Sequence, residues 1–105
     1  MTHKTITNSA RGQQCTVRLP SICNHDKSTT VFAHLNGVRH GHGVGIKTLF
    51  GAYACSACHD FVDGRTPNKW VSKDYLRAAH LDGVIETMGY ILRNEPELWK
   101  RFLNE

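Results

Sequence analysis

The sequence lacks an apolar run long enough to span a membrane, and it lacks an N-terminal apolar core of the kind that a signal peptide needs. The first absence predicts a soluble protein, and the second predicts one that stays in the cytoplasm. The chain also lacks internal repeats and low-complexity tracts. We therefore expect residues 1–105 to form a single domain, short enough for a bound metal ion to add materially to a modest core.

Acidic residues are scarce in the first half of the chain. Residues 1–54 contain six lysines and arginines but one acid, Asp26, whereas residues 55–105 contain seven basic residues and eight acids. The first half therefore has a net charge of +5 and the second half −1. A basic half that also carries most of the histidines favours a polyanionic partner, above all nucleic acid. A basic surface with no specific partner explains the charge equally well.

The four cysteines form two pairs, Cys15 with Cys23 (C-x7-C) and Cys55 with Cys58 (C-x2-C). Four thiolates suit a tetrahedral Zn²⁺, and one ion could join the two distant segments. The spacing of the second pair is typical of a zinc site, whereas the first pair is unusually wide. The cysteines therefore predict a structural zinc site.

Three other interpretations of the cysteines compete with zinc. Cys55, Cys58 and His59 form a C-x-x-C-H motif, which also attaches c-type haem, but haem attachment normally follows export. Disulfides are disfavoured in a cytosolic protein because that compartment keeps thiols reduced. A thioredoxin-like redox pair would need a βαβ surround and would leave two cysteines unexplained. Structural zinc is favoured over these alternatives.

The local patterns of the first half predict short elements. Residues 14–19 predict an extended segment, and residues 29–35, rich in β-branched and aromatic side chains, predict a strand. Residues 36–45 hold four glycines and predict an irregular loop. Residues 47–53 predict a second strand, although its glycine weakens that interpretation. A short helix is expected to begin near Cys55 and to end at Gly64.

The second half has helical periodicity. Apolar residues recur at helical spacing over about residues 72–93, which predicts one long amphipathic helix with Ser72 as its N-cap. Pro96 breaks or restarts the helix, and a last helix takes its apolar face from Trp99, Phe102 and Leu103. The predicted fold class is α+β, with a small zinc-bound ββα core at about 9–65 and two additional helices at about 70–104.

The order of these parts resembles a zinc-bound ββα-metal nuclease of the HNH, or treble-clef, type: a cysteine pair, a strand ending in histidine, a loop, a second strand, and C-x-x-C-H opening a helix. The residues themselves resemble the YbcO-like phage and prophage proteins, a family catalogued as nucleases. The likeness covers about residues 9–65 and lies in 15–23 (CTVRLPSIC), 33–35 (AHL) and 54–60 (ACSACHD), followed by Asp63 and Arg65. It implies a treble-clef fold, a phage or prophage origin, a DNA substrate and metal-dependent endonuclease activity.

The same resemblance implies roles for two histidines. In HNH nucleases the histidine that closes the first strand is the general base, and His34 matches that position. The histidine after the last cysteine commonly binds a catalytic divalent ion, and His59 matches it; Mg²⁺, Mn²⁺, Ni²⁺ and Zn²⁺ are the candidate ions. The sequence departs from the HNH pattern at Ala33, where an acid usually stands. The middle asparagine also has no clear counterpart between Gly45 and Ala54.

A replacement ligand follows from helix geometry. His59 and Asp63 are four residues apart and should share one helix face, so that both could hold a second divalent ion. Arg65 could then contact a phosphate, for which its planar guanidinium is suited. Further nucleic-acid contacts are expected from the glycine-rich loop and its flank, through Arg39, His40, His42 and Lys47.

Each of these residues also has a purely structural interpretation. His34 could be a satisfied histidine at a strand end, His59 could support the zinc ligands, and Asp63 could be a solvated helix acid. Two function classes therefore remain: a metal-dependent DNA endonuclease, and a non-catalytic zinc-stabilised DNA-binding module on the same fold. The absent acid at position 33 lends weight to the second class. A homodimer formed through the long helix is compatible with both.

Overall fold

The computed structural model describes residues 5–35, 50–98 and 100. Two 3-10 turns, Asn8–Ala10 and Lys27–Thr29, precede strand β1, Val31–His34. Strand β2, Gly51–Ala54, is followed by helix α1, Ser56–Val62, and by helix α2, Lys73–Asn94. The described chain is therefore a small α+β fold, as predicted. No helix within these described ranges has both the length and the apolar character needed to cross a membrane.

The two strands form an antiparallel hairpin whose register pairs Val31 with Ala54 and His34 with Gly51. Gly51 occupies a strand position because its missing side chain leaves room for the ring of Phe32, which a Cβ atom there would overlap. The predicted first strand is confirmed in its centre but begins two residues later, because Lys27–Thr29 form a turn capped by the Asp26 carboxylate.

Helix α2 packs against β2 and covers the sheet. It begins as predicted, since the Ser72 hydroxyl accepts a hydrogen bond from the Tyr75 backbone N–H at 3.0 Å. The close approach is possible because small residues face each other: Gly83 of α2 lies against Ala52 of β2 and against Thr16. The Thr16 hydroxyl also lies within hydrogen-bond distance of the Gly83 carbonyl (3.1 Å) and the Tyr53 carbonyl (3.0 Å).

The core has two parts. One surrounds the cysteines and includes Leu19, Ala33, Ala52, Ala54 and Val84; the other joins Ile6, Ala10, Phe32, Tyr53, Ile91 and Leu98. The first part lies directly beneath the segment that contains Cys15. The four cysteines and the packing of α2 on the sheet therefore lie in the same region of the core.

One local prediction was wrong. Residues 14–19 are not an extended strand but a bend, in which Arg18 has φ 45°. The chain then turns through Ser21, with φ 65°, and the Cys23 backbone N–H donates to the Leu19 carbonyl at 2.9 Å. The Thr16 backbone N–H still donates to the Tyr53 carbonyl of β2 at 2.7 Å, but the chain then bends because the next backbone N–H groups, of Arg18 and Leu19, are directed to cysteine sulfurs.

The end of α1 follows the prediction: the helix stops before Gly64, whose φ of 75° suits a glycine at a helix C-terminus. The predicted glycine-rich loop at 36–45 and the start of the second strand at 47–49 lie outside the described residues, as do Trp99, Phe102 and Leu103 of the predicted last helix.

Candidate metal centre and active site

The sulfur atoms of the four cysteines meet in one cluster. Cys15, Cys23, Cys55 and Cys58 place their Sγ atoms within 4.8 Å of one another, although the two pairs are 32 or more residues apart in sequence. Cys55 is the N-cap residue of α1, which starts the helix at the cluster and carries Cys58 into its first turn. The four cysteines can therefore hold a metal ion.

Backbone amides point at the sulfurs. The Arg18 N–H donates to Cys15 Sγ at 3.3 Å, the Leu19 N–H donates to Cys58 Sγ at 3.4 Å, and the Cys58 N–H donates to Cys55 Sγ at 3.4 Å. Such donors stabilise negative charge on sulfur, which favours the thiolate form that binds metals. This explains the bend before Cys23, which aims two consecutive amides at the cluster.

The electrostatics of the cluster favour a cation. A hydrogen bond with the Cys58 thiol lowers the pKa of Cys15 to about 4, and the same contact, together with burial, raises the pKa of Cys58. Burial also raises the pKa of Cys23. Four thiolates packed this closely repel one another unless a positive charge lies between them. A metal ion would supply that charge and displace the remaining protons.

The geometry suits a tetrahedral ion. Four sulfurs at about 2.3 Å from a central Zn²⁺ would lie about 3.8 Å from one another. The Sγ atoms of Cys23 and Cys55 are 3.7 Å apart, and all four fall within 4.8 Å, so a small contraction completes the tetrahedron. The donor set and its spacing therefore fit zinc.

A second cluster lies at the other end of α1. His59 Nε2 and Asp63 Oδ2 are 2.9 Å apart, and both side chains are largely buried, with exposed fractions of 22% and 16%. This separation is that of a direct hydrogen bond, whereas two ligands about 2.1 Å from a tetrahedral ion would lie about 3.4 Å apart. The predicted shared helix face is thus present, with the two groups in direct contact, and both would have to turn towards an ion in order to share it.

Arg65 lies beside this pair. Its guanidinium is 3.3 Å from the Asp63 carboxylate and 3.7 Å from the Asp60 carboxylate, and the side chain is mostly exposed. The Arg65 backbone N–H also donates to the Asp60 carbonyl at 2.9 Å, which fixes the chain after α1. Arg65 is therefore partly neutralised by two acids.

His34 occupies the last position of β1 and is half-buried, with its ring edge-to-face against Phe32 at a centroid distance of 5.3 Å. A groove of about 310 Å³ connects this end of the strand to the end of α1, because both Leu35 and Asp63 line it. The residue after the predicted base therefore shares this groove with Asp63, one of the predicted ion ligands, whereas His34 and His59 are not among the residues that line it.

His80 also belongs to this region, although no function was predicted for it. It is buried in α2, lines the same groove, and its Nε2 lies 2.9 Å from the Ala33 carbonyl. Because a carbonyl only accepts, Nε2 must carry the proton. Burial lowers the pKa of His80, and the Ala33 carbonyl and the Asp63 charge oppose that effect. His80 connects α2 to the residue before His34, a link that local sequence patterns do not reveal.

Four predicted nucleic-acid contacts, Arg39, His40, His42 and Lys47, lie outside the described residues. Arg18 is a basic residue of the first half that the structure does describe. Two nitrogens of its guanidinium donate to the two carboxylate oxygens of Glu86, which lies on α2. This pair raises the pKa of Arg18 and lowers that of Glu86. Arg18 therefore ties the cysteine segment, residues 15–23, to α2.

These features define a class of protein: a small α+β fold with four cysteines that can hold a metal ion at one end of a short helix and a histidine–carboxylate pair at the other. Residues 4–95 match the family described as "Putative nuclease YbcO", and the chain belongs to that family. The expected family resemblance is confirmed at this level.

Relatives of this chain are known from a bacterium and a phage. It is 39% identical over 84 residues to "Putative nuclease YbcO" of Escherichia coli strain K12 and, to the same extent, to "Putative nuclease ybcO" of Enterobacteria phage 82. Each match covers 78% of this chain and 84% of the relative. The names support the predicted nuclease and phage associations.

A solved structure shares the fold. It is described as a bacteriophage protein from Escherichia coli K-12 MG1655, and it is 35% identical in sequence with a TM-score of 0.67. The match covers 81% of this chain and 93% of the other. The overall fold of this chain is therefore similar to that of a solved structure.

Proposed function

We propose that this protein is a zinc-stabilised, metal-dependent endonuclease of the HNH type, with a treble-clef (ββα-metal) core, that hydrolyses phosphodiester bonds in DNA. The observation that carries the proposal is the His59–Asp63 contact of 2.9 Å on the helix that begins at the cysteine cluster. The nuclease names of the relatives and the sequence of β1, β2 and α1 support it. A cytoplasmic location, a single domain and a homodimer stay predictions.

In this proposal the four cysteines bind zinc and hold α1 against the hairpin. His59 and Asp63 together bind a second divalent ion, and that ion would polarise the scissile phosphate and stabilise the leaving oxygen. His34 accepts a proton from the attacking water as the general base. Arg65 contacts the phosphate and neutralises part of its charge.

His80 is well placed to position the base. Its bond to the Ala33 carbonyl fixes the peptide immediately before His34 between β1 and α2. A small displacement of a catalytic group is costly, because the reacting atoms must be held close to the productive geometry. His80 therefore acts through His34 and does not itself contact substrate in this account.

A non-catalytic DNA-binding module on the same fold is the second candidate, and Ala33 is the observation that favours it. The residue before the base is an acid in HNH nucleases generally, whereas here the Ala33 side chain is fully buried in the core around the cysteines. The strand consequently supplies no carboxylate, and ion binding would depend on α1 alone. Such a site could retain DNA binding without hydrolysis.

Metal-dependent nicking of supercoiled plasmid separates the two candidates. We expect the wild-type protein to nick DNA with Mg²⁺, Mn²⁺, Ni²⁺ or Zn²⁺ and to stop when EDTA is added. His59→Ala and Asp63→Ala should raise the ion concentration needed for half-maximal rate. Asp82→Ala, which removes an exposed acid on the other helix, α2, is the matched control and should behave as the wild type.

Zinc content and circular dichroism must be measured in the same samples, because loss of the structural zinc would also stop cleavage. Wild-type protein that retains zinc and binds DNA but cleaves with none of the four ions would establish the binding module instead. Cleavage with an unaltered metal dependence in Asp63→Ala would remove the proposed ion site.

A further inference from the structure

We propose that the entry of α2, residues 69–77, holds an unpaired stretch of DNA, with a base stacked on Trp70 and phosphates bound by Lys73 and Arg77. The choice of DNA as the ligand depends on the function proposed above. Beyond that function, we infer that the protein prefers an unpaired strand and that this surface recognises it.

The first observation is an exposed tryptophan. Trp70 is 81% exposed and Tyr75 is 50% exposed, and both line a mainly apolar groove of about 410 Å³. Leu19, Pro20 and Ile22 of the cysteine segment form its other side. Exposure of such a large apolar surface to water is unfavourable. An exposed apolar patch of this kind is typical of a surface that binds a partner.

The second observation is that Trp70 is presented by an ordered turn. The Asn68 carboxamide accepts from the backbone N–H groups of Trp70 at 2.9 Å and Val71 at 3.0 Å, and it donates to the Val71 carbonyl at 2.7 Å. Ser72 then caps the helix. The backbone on both sides of Trp70 is thus fixed before any ligand binds, which lowers the entropy lost on binding.

The groove is also linked to the metal centre. Leu19, on its far side, donates its backbone N–H to Cys58 Sγ at 3.4 Å. The position of this side of the groove therefore depends on the cysteine cluster.

The charge around the groove selects the kind of partner. Residues 65–77 contain four basic side chains, Arg65, Lys69, Lys73 and Arg77, and one acid, Asp74. Among the described residues, no carboxylate forms an ion pair with Lys69, Lys73 or Arg77. Lys73 and Arg77 also line the groove that contains Asp63 and His80. A polyanion that crosses the start of α2 would therefore lead from Trp70 towards the candidate active site.

An aromatic ring beside cations is the arrangement that proteins use for single-stranded nucleic acid. Trp70 could not stack on a base inside a duplex, because both faces of that base are already covered by its neighbours. An unpaired base exposes a face, and every base offers a similar one, so the contact tolerates any sequence. This surface consequently favours DNA with an unpaired segment over continuous duplex.

The test is a comparison of affinities without added divalent ion, so that no cleavage is needed. Fluorescence anisotropy would measure binding of the zinc-loaded protein to a labelled oligothymidine and to a duplex of equal length. We expect Trp70→Ala to weaken oligothymidine binding by about fivefold to a hundredfold, from the usual contribution of one stacked base. Duplex binding should change little, and Trp70→Phe should recover most of the loss.

Ile85→Ala is the matched control, because Ile85 is an apolar residue of α2 that is 62% exposed but lies outside the groove. It should leave both affinities unchanged. Lys73→Gln and Arg77→Gln should each weaken binding to both DNA forms and reduce the salt dependence of log K by about 0.7 for the single strand. Arg93→Gln, at the far end of α2, is the control for charge.

An unchanged oligothymidine affinity in Trp70→Ala would overturn the proposal. If the same variant instead loses self-association in sedimentation, with DNA affinity intact, the groove is a contact between copies of this chain and the proposal is also wrong. Plasmid cleavage that continues while Trp70→Ala has no effect on binding would leave the nuclease function standing alone. Trp70-dependent binding by a protein that never cleaves would support this inference and contradict the nuclease.

Discussion

Replacement of Gly83 by alanine tests how closely α2 packs on the cysteine segment and the sheet. A Cβ atom at this position would lie 3.0 Å from the Thr16 hydroxyl, 3.1 Å from Ala52 Cβ and 3.1 Å from Val17 Cγ2. Ala52 Cβ is attached directly to the backbone of β2 and cannot rotate away. The Thr16 hydroxyl bridges α2 and β2 through three polar contacts, so its displacement also weakens hydrogen bonding.

The magnitude follows from opposing effects. Alanine is favoured over glycine inside a helix by about 1 kcal/mol, whereas inserting a methyl group into a close-packed interface costs about 1–3 kcal/mol. Loss of one buried hydrogen bond adds about 1 kcal/mol. We therefore expect Gly83→Ala to lower the free energy of unfolding by about 1–3 kcal/mol in spite of its better helix propensity.

Gly89 provides the matched control on the same helix. A Cβ atom there meets nothing closer than the Arg93 guanidinium, at 3.5 Å, and that flexible end can move. Gly89→Ala should therefore stabilise the protein by up to about 1 kcal/mol. Urea unfolding of both zinc-loaded variants gives the two values if the m-values match that of the wild type. Equal stabilisation by the two substitutions would show that α2 does not approach the sheet as described.

Three other results are expected. Cys58→Ser should lose the metal and most of the stability, since metal affinity and folding are coupled. In metal analysis, a variant that keeps about one metal ion per chain, or a wild type with less than about one, would contradict the four-cysteine centre. Burial holds the pKa of His80 below that of an unfolded histidine, so the unfolded chain binds more protons than the folded one at low pH. The free energy of unfolding should therefore fall as pH drops below about 6.5. In urea unfolding at several pH values, His80→Gln should reduce this dependence of the free energy of unfolding on pH. An unchanged pH dependence in the variant would show that other groups cause it. DNA affinity of the wild type should fall steeply between low and physiological salt in anisotropy titrations, and a constant affinity would exclude binding mainly through phosphates.

The features that sequence predicted well are local ones. Ser72 as an N-cap, Gly64 at a helix end, and the shared face of His59 and Asp63 depend on residues within one or two turns of helix. The cysteine cluster was also predictable, because the donor set itself implies that distant residues converge.

The features that sequence did not predict depend on contacts across the fold. His80 contacts the carbonyl of Ala33, which is 47 residues away in sequence. Helical periodicity predicts only that His80 lies on the apolar face of α2, and it does not predict this contact. The bend at Arg18 replaces a predicted extended segment because its amide is directed to a sulfur, a choice that β propensity does not encode. The exposure of Trp70 likewise appears only once the turn around Asn68 is formed.

The most direct test of the central claim is the rate of plasmid nicking by the wild-type protein and by His34→Ala under the same divalent ion. If His34 is the general base of a metal-dependent nuclease, the variant should cleave at least about a hundredfold more slowly while its zinc content and DNA affinity stay close to those of the wild type. Cleavage by His34→Ala at the wild-type rate would contradict the account, because the base would then lie elsewhere in the protein.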